Sequence, residues 1–314
     1  MIKTVITVKP RGFCAGVVRS INIVKKTLEK YGTPIYVKHA IVHNQTVIKD
    51  LEKKGAVFVE EVEKIPPRSI VIFSAHGSPP QHYQTARKRN LRIIDATCPL
   101  VLKVHQEMRH FLLADYQVVY VGHRGHVEAE GVLGEARQLN KLSQVFVIKN
   151  KEEAVELSRN NNVNKSRSLA ILSQTTFNVY RINEIINELE KTFSVIRPDV
   201  KDICYATTNR QEAVAALAQK ADVVLIVGSQ ESSNSNRLKE VALENGASAA
   251  YIVDNVNEIK ESWFKDKEIL GLSAAASAPE FRVQEVVDFF VQRGAKLQEM
   301  QGAEEKMHFP LPEI

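Results

Sequence analysis

The sequence predicts an α/β protein built from three similar units of mainly parallel sheet, with helices on both faces. Three observations predict this. Short, continuous apolar runs alternate with longer runs of helical period along the whole chain, the pattern of strands buried on both faces and of the helices that cover them. Several apolar runs end in small or polar groups: SAHG, VGHRGH, SQTT, GSQESSN and SAAASAP. Each of the three cysteines, Cys14, Cys98 and Cys204, stands where an apolar stretch hands over to a helical one. No residue-level repeat accompanies this theme, so it is one of architecture.

The first unit is expected over residues 1–96. An apolar strand at 4–8 leads into PRGFCAG at 10–16. Val17, Val18, Ile21, Val24 and Leu28 then recur at helical spacing, and Gly32 with Pro34 stops that helix. A strand at 35–37 runs into AIVHNQ, and Val47, Ile48 and Leu51 mark a helix ending at Gly55. The strand at 69–74 runs into AHG, polar residues 81–90 suit an exposed helix, and 91–95 closes the unit.

The second unit is expected over 97–200. Pro99, just after Cys98, suits the first position of a helix whose apolar face is Val101, Val104, Met108, Phe111 and Leu112. A buried strand at 118–121 ends in GHRGHVEAEG, and strands follow at 145–148 and 169–172. The Asn-rich stretch 159–168 reads as a surface loop and 180–193 as a helix. The third unit is expected over 201–314. A helix follows Cys204, a strand at 223–227 ends in GSQESSNSN, and Leu238 and Val241 mark the next helix. A strand at 269–272 ends in SAAASAP, and Phe281, Val286, Val287 and Phe290 give the last helix. The tail beyond Ala295 reads as a segment draped over the surface.

With 314 residues, 44% hydrophobic and 25% charged, the chain has ample material for large cores and for two or three domains. A net charge of +5, gathered in no single run, fits an anionic small molecule or an acidic partner and argues against nucleic acid. Pro10, Arg11 and Gly12 interrupt the N-terminus before a signal peptide could form, and no run approaches the roughly 20 apolar residues of a membrane span. A cytoplasmic protein without membrane association is expected. Three cysteines are too few, and odd in number, for a disulfide framework.

A cysteine outside a disulfide usually packs as a small hydrophobe. Three at similar strand-to-helix junctions, where helix N-termini favour a thiolate, point instead to zinc or to an iron–sulfur cluster, and spacing does not separate the two. His43, His76 and His126 each follow a strand-like run. With Ser232, Ser233, Asn234 and Ser277 they form a donor-rich set that suits a phosphate or diphosphate. The absence of a Walker loop argues against nucleotide triphosphate hydrolysis. Glu128, two residues after His126, is the candidate proton donor, with Glu130 a competitor. Thr175 in SQTT is placed to bond to Glu128 or to a substrate hydroxyl. These residues also fit a zinc-dependent hydrolase of a phosphorylated metabolite, or a non-catalytic iron–sulfur sensor.

PRGFCAG, IVHN, FSAHG, DATCPLV, GHRGHVEAEG, SQTT, DICYATTNRQEA, GSQESSNSNRL and SAAASAP occur in this order over residues 10–279. Together they closely resemble the family of 4-hydroxy-3-methylbut-2-enyl diphosphate reductases. The resemblance implies a pseudo-threefold trefoil of α/β units around a central [4Fe-4S] cluster. Its ligands would be Cys14, Cys98 and Cys204, with the fourth iron open to substrate. It implies that His43, His76, Ser232, Ser233, Asn234 and Ser277 hold the substrate diphosphate. His126 then holds substrate and assists proton delivery, Glu128 is the proton donor, and Thr175 is a hydroxyl beside it. Gln174 and Thr207 are implied as supporting neighbours. The partners implied are the diphosphate substrate and a one-electron donor protein such as a ferredoxin or flavodoxin. The chain departs from the family pattern at Val127, where proline is frequent, at Val18 and Ala40, where acidic residues are common, and at Ala275, where glycine is.

Overall fold

The computed structural model describes residues 2–197 and 202–314. Its strands form three sheets in which every pairing is parallel. Three elements precede or begin the first sheet: β1 (Thr4–Val8), α1 (Ala15–Tyr31) and β2 (Ile35–Lys38). The chain continues through α2 (Gln45–Lys53), β3 (Ala56–Val59), β4 (Ile70–Phe73), α3 (Pro80–Lys88) and β5 (Arg92–Asp95). The order of this sheet is β3-β2-β4-β5.

The next stretch is α4 (Pro99–Leu113), β6 (Gln117–Val121), α5 (Val127–Gln138), β7 (Val145–Ile148), α6 (Lys151–Arg159), β8 (Leu169–Ser173), α7 (Arg181–Glu190) and β9 (Val195–Ile196). Its sheet order is β7-β6-β8-β9. Then come α8 (Tyr205–Ala218), β10 (Val223–Val227), α9 (Ser233–Glu244), β11 (Ala249–Val253), β12 (Ile269–Ala274), α10 (Glu280–Val291) and β13 (Lys296–Met300). The third sheet runs β11-β10-β12-β1-β13.

The same order, second-first-third-fourth, thus recurs in all three sheets. In the third, the fourth place is filled from the other end of the chain by β1, and β13 adds a fifth strand. The described chain packs as two compact units. One comprises Met1–Val18, Val42–Lys49 and Tyr205–His308, and holds the third sheet. The other comprises Arg19–Ile41, Asp50–Cys204 and Phe309–Ile314, and holds the first two. The expected boundary between residues 200 and 201 lies outside the described residues.

Parallel strands need cover on both faces, and alternate side chains supply it. In the third sheet, Val223, Leu225 and Val227 pack with Val283, Val286 and Phe290 of α10. The intervening Val224 and Ile226 pack on the other face with Val214 of α8 and with Leu238 and Val241 of α9. In the second sheet, Val119 and Val121 meet Leu157, Ile185 and Leu189, while Val118 and Tyr120 meet Val104, Met108 and Val132. Each such side chain contributes roughly 1.5–3 kcal/mol when fully buried.

The tail departs from expectation. Residues 296–300 form the edge strand β13, parallel to β1, and only beyond residue 300 does regular structure end. Lys-Leu-Gln-Glu-Met has no apolar run because an edge strand with an open face has little to bury.

Candidate active site

In a sheet whose order turns about its first strand, the chain leaves the first and third strands in opposite directions, and a crevice opens beyond their carboxyl ends. The non-cysteine residues singled out by sequence follow these strands. His43 comes after β2 and His76 after β4. His126 and Glu128 come after β6 and Thr175 after β8. Ser232, Ser233 and Asn234 come after β10 and Ser277 after β12. Each cysteine follows the fourth strand of a sheet: Cys14 after β1, Cys98 after β5 and Cys204 after β9.

The cysteines share a local geometry that their flanking sequences do not show. Cys14 precedes α1 and its carbonyl accepts from Val18 N–H at 3.0 Å. Cys98 caps α4, accepting from Val101 and Leu102 at 2.9 and 3.0 Å. Cys204 immediately precedes α8. Each cysteine N–H donates to a carbonyl two residues beyond the third strand of its own sheet. The acceptors are Ala276 (3.2 Å) for Cys14, Ala75 (3.0 Å) for Cys98 and Thr175 (3.1 Å) for Cys204. All three cysteines are half-buried.

The acceptor residues are hubs, because their own N–H groups reach the segment that follows the first strand. Ala75 donates to the Ile41 carbonyl at 3.4 Å, Thr175 to Glu128 Oε1 at 2.6 Å and Ala276 to Asn234 Oδ1 at 2.9 Å. One residue per sheet therefore ties a cysteine to the crevice loops.

Glu128 lies in the first turn of α5 and is 2% exposed. Its second oxygen accepts from the Thr175 hydroxyl at 2.8 Å. Burial pushes the carboxyl up to about 7, against the two Thr175 bonds that favour its charged form, and the nearby Asp202 carboxylate adds to the rise. Glu130, by contrast, is exposed and paired with Arg137 at 2.7 Å. His126 caps α5: its Nδ1 accepts from Glu128 N–H at 3.2 Å, which places the proton of the neutral ring on Nε2. Gln174 joins the two loops, its Oε1 accepting from His123 N–H at 3.1 Å and its Nε2 donating to Thr176 at 2.9 Å. Thr207 is buried in the first turn of α8.

His76 sits in a turn anchored at Ala75. Its ring packs edge-on to His39, centroids 6.0 Å apart, and His39 bonds to Glu60 at 2.9 Å. Behind this turn, buried His105 bonds through Nδ1 to buried Glu135 at 2.8 Å. Its Nε2 lies so close to Gly77 that a Cβ there would come within 2.8 Å, and Gly77 holds φ +79°.

Around the third sheet, Ser232 caps α9, its Oγ accepting from Ser235 N–H at 3.3 Å. That acceptor role leaves the hydroxyl proton for a ligand. Asn234 is buried, and with Oδ1 engaged by Ala276 its Nδ2 has no acceptor among the described residues. A buried amide N–H₂ in that state suits an anion that brings its own oxygens. Ser277 donates to the His43 carbonyl at 3.2 Å. Ser233 opens α9 beside them.

Sequence reasoning missed three residues. Buried Asp202 accepts from Ser173 N–H and from Lys103 Nζ, both at 2.9 Å, and burial pushes it up to about 7 against the Lys103 bond. Its only signal is its position two residues before Cys204. His39 gives a weak one, as a second histidine ahead of IVHN. Arg210 reads as one more surface charge on a helix, yet it is among the largest fully buried side chains.

The sequence pattern of the family described as LytB protein matches residues 5–291. A 4-hydroxy-3-methylbut-2-enyl diphosphate reductase of Neisseria meningitidis serogroup C is 45% identical over 99% of this chain and 94% of its own length. Another of that description, from Acinetobacter baumannii, is 44% identical over 98% and 96%. Among solved structures, the E-1-hydroxy-2-methyl-but-2-enyl-4-diphosphate reductase of Plasmodium falciparum matches with a TM-score of 0.91 at 34% identity, covering 99% of this chain and 96% of that one. A second reductase structure, described as the terminal enzyme of the non-mevalonate pathway, gives 0.63 at 30% identity over 93% and 100%. The match begins in β1, takes in all three cysteines and their hubs, and extends to the end of α10: the chain belongs to the LytB protein family.

Proposed function

We propose that the chain catalyses the reductive dehydroxylation of 4-hydroxy-3-methylbut-2-enyl diphosphate. The allylic hydroxyl leaves as water, with two electrons and two protons consumed, and the product is isopentenyl diphosphate or dimethylallyl diphosphate. Full-length likeness to reductases of that description supports the reaction. The observation that carries it to this chain's own residues is Glu128, a buried carboxyl held by both donors of one threonine and protonated near neutral pH.

The proposed cofactor is a [4Fe-4S] cluster with Cys14, Cys98 and Cys204 as ligands and the fourth iron open to substrate. The donor set fits: three half-buried sulfurs, each on a backbone fixed by the same hydrogen bond. When bound, such a group supplies electrons and Lewis acidity to the leaving oxygen. The electrons are proposed to come from a one-electron donor protein such as a ferredoxin or flavodoxin.

The chain's side chains do the rest. His43, His76, Ser232, Ser233, Asn234 and Ser277 hold the diphosphate, with the Asn234 amide and the Ser232 hydroxyl as donors that protein acceptors leave available. Anchoring one end of the substrate fixes where its hydroxyl lies. Glu128 gives the proton that turns a poor leaving group into water. His126 is held by its Nδ1 so that Nε2 faces away from the helix turn and serves the substrate. Thr175 orients the Glu128 carboxyl. The reaction is proposed to run in the cytoplasm; among the described residues no helix is long and apolar enough to cross a membrane.

The test is an anaerobic count of iron and sulfide in purified protein, combined with substrate-dependent oxidation of a reduced one-electron dye. Iron, sulfide and dye oxidation together are expected. Zinc without sulfide, or iron and sulfide without dye oxidation, would overturn the reading.

A further inference from the structure

We infer that Arg210 and Glu305 are positioning residues for Cys14: the C-terminal segment, through Glu305, fixes a buried guanidinium that holds the loop carrying this cysteine. Arg210 lies on α8 and is 1% exposed. Its Nε and Nη2 both donate to the Gly12 carbonyl, at 3.2 and 2.9 Å. Its Nη1 donates to the Ala206 carbonyl at 3.0 Å and to Glu305 Oε1 at 2.8 Å, and Nη2 also reaches Glu305 Oε2 at 3.2 Å. Asn209 adds a bond to Glu305 at 3.2 Å.

The recipient of this fork lies two residues before Cys14. Gly12 holds φ +69°, and a Cβ there would come within 3.1 Å of the Ala278 carbonyl, so only glycine turns its carbonyl toward the guanidinium at this spot without strain. The loop is then held from two sides. Cys14 N–H is fixed to Ala276 and the Gly12 carbonyl to Arg210.

Arg210 is permanently charged and buried, so it needs a counter-charge to stay there. The bidentate one comes from Glu305, in a stretch with no helix or strand of its own. That stretch is itself guided onto the loop: at Gly302 a Cβ would fall 2.5 Å from the Lys9 carbonyl. Glu299 grips Lys9 at 2.9 Å and Arg11 at 3.3 Å from β13. The tail is thus a strap over residues 9–12, and Glu305 is its buckle.

The inference deepens the proposed function, resting on Cys14 as a cluster ligand, and its first test runs without the cluster. In apo-protein, alkylation of each cysteine by iodoacetamide is followed by peptide mass. Loss of one charge-assisted contact in Glu305→Gln is expected to speed Cys14 alkylation about fivefold or more, with Cys98 and Cys204 changed less than about twofold. Glu305→Asp is expected to restore most of the protection, and Arg210→Gln to exceed Glu305→Gln. Unchanged Cys14, or an equal rise at all three cysteines, would overturn the inference. In loaded protein, Glu305→Gln is expected to release iron to a chelator faster. Faster alkylation with unchanged iron release would uphold the strap and overturn Cys14 as a ligand.

Discussion

Glu128 and Asn234 occupy the same place in two of the three sheets. Each is the second residue of the helix that follows its sheet's first strand, and each accepts from the backbone N–H whose own carbonyl receives a cysteine N–H. The fold therefore builds one position repeatedly and fills it with different chemistry. A carboxyl there can hold and give up a proton. An amide there cannot, but it presents N–H₂ to an anion. In the proposed function, proton donation and diphosphate binding are two fillings of one backbone device.

Glu128→Gln keeps the volume and one oxygen for Thr175 N–H, replaces the second acceptor with an amide N–H₂ from which the Thr175 hydroxyl can accept, and removes the titratable proton. Turnover is expected to fall by roughly 10²–10⁴-fold, with KM within a few-fold of the parent, in steady-state dye oxidation. Glu130→Gln breaks an exposed pair with Arg137 and is expected to leave kcat within about twofold. The reverse pattern would move the proton donor to Glu130.

The pH profile follows from the same residue. With its carboxyl up near 7, Glu128 holds its proton through the acid range and loses it above about 7. The rate limb governed by this acid is expected to fall as pH rises through that value, and Glu128→Gln is expected to abolish the limb. Stability carries the same sign. The folded carboxyl binds its proton more tightly than an unfolded one, so this group's contribution is fully present below its ordinary 4.5 and is lost as pH rises through 7. Denaturant titrations of parent and Glu128→Gln are expected to diverge over that window.

The central strands were legible in the sequence because both their faces are buried. β4, β6, β10 and β12 show as continuous apolar runs. β3, β9, β11 and β13 were not legible: β3 and β11 are only partly buried, β9 is two residues long and β13 buries nothing, whereas the edge strands β5 and β7 show as apolar runs. The placement of β1 beside β12 was hidden for another reason, since no local pattern states which distant strand a run will join. At the site, loop chemistry pointed to Glu128, Thr175, Asn234 and the cysteines. Asp202 and Arg210 escaped because a charged residue gives no sign in sequence that it is buried; their partners Lys103 and Glu305 lie 99 and 95 residues away.

Thr175→Val deletes a hydrogen bond that favours charged Glu128 while keeping the side chain's shape and the backbone donor. Loss of one such bond is expected to move the rate limb upward by about one pH unit. Thr175→Ser keeps the hydroxyl and is expected to leave the limb in place. A downward shift in the valine variant would show that the hydroxyl serves the neutral acid instead.

Asn234→Asp tests the equivalence directly. The aspartate keeps an oxygen for Ala276 N–H, so the hub and the Cys14 anchor are retained. It removes the donor that has no protein acceptor and adds a charge that repels a diphosphate. KM is expected to rise by about tenfold or more with a smaller change in kcat. Asn234→Ala loses both functions and is expected to lower the melting temperature as well. Unchanged KM in the aspartate variant would remove Asn234 from the diphosphate site.

Gly77 and Gly125 separate backbone strain from crowding. Both hold positive φ, +79° and +78°, in loops next to His76 and His126. A Cβ on Gly125 meets nothing within 4 Å, whereas one on Gly77 meets His105 Nε2 at 2.8 Å. Gly125→Ala therefore carries only the left-handed backbone cost, about 1 kcal/mol. Gly77→Ala carries that and must also displace His105, which its bond to Glu135 holds in place, for a total of about 2–3 kcal/mol. The displaced turn also bears His76 and, through Ala75, the Cys98 backbone anchor. Urea titration is expected to rank Gly77→Ala below Gly125→Ala, with KM raised chiefly in the former. Equal losses would mean that His105 yields to the new methyl, and that this buried pair does not fix the turn.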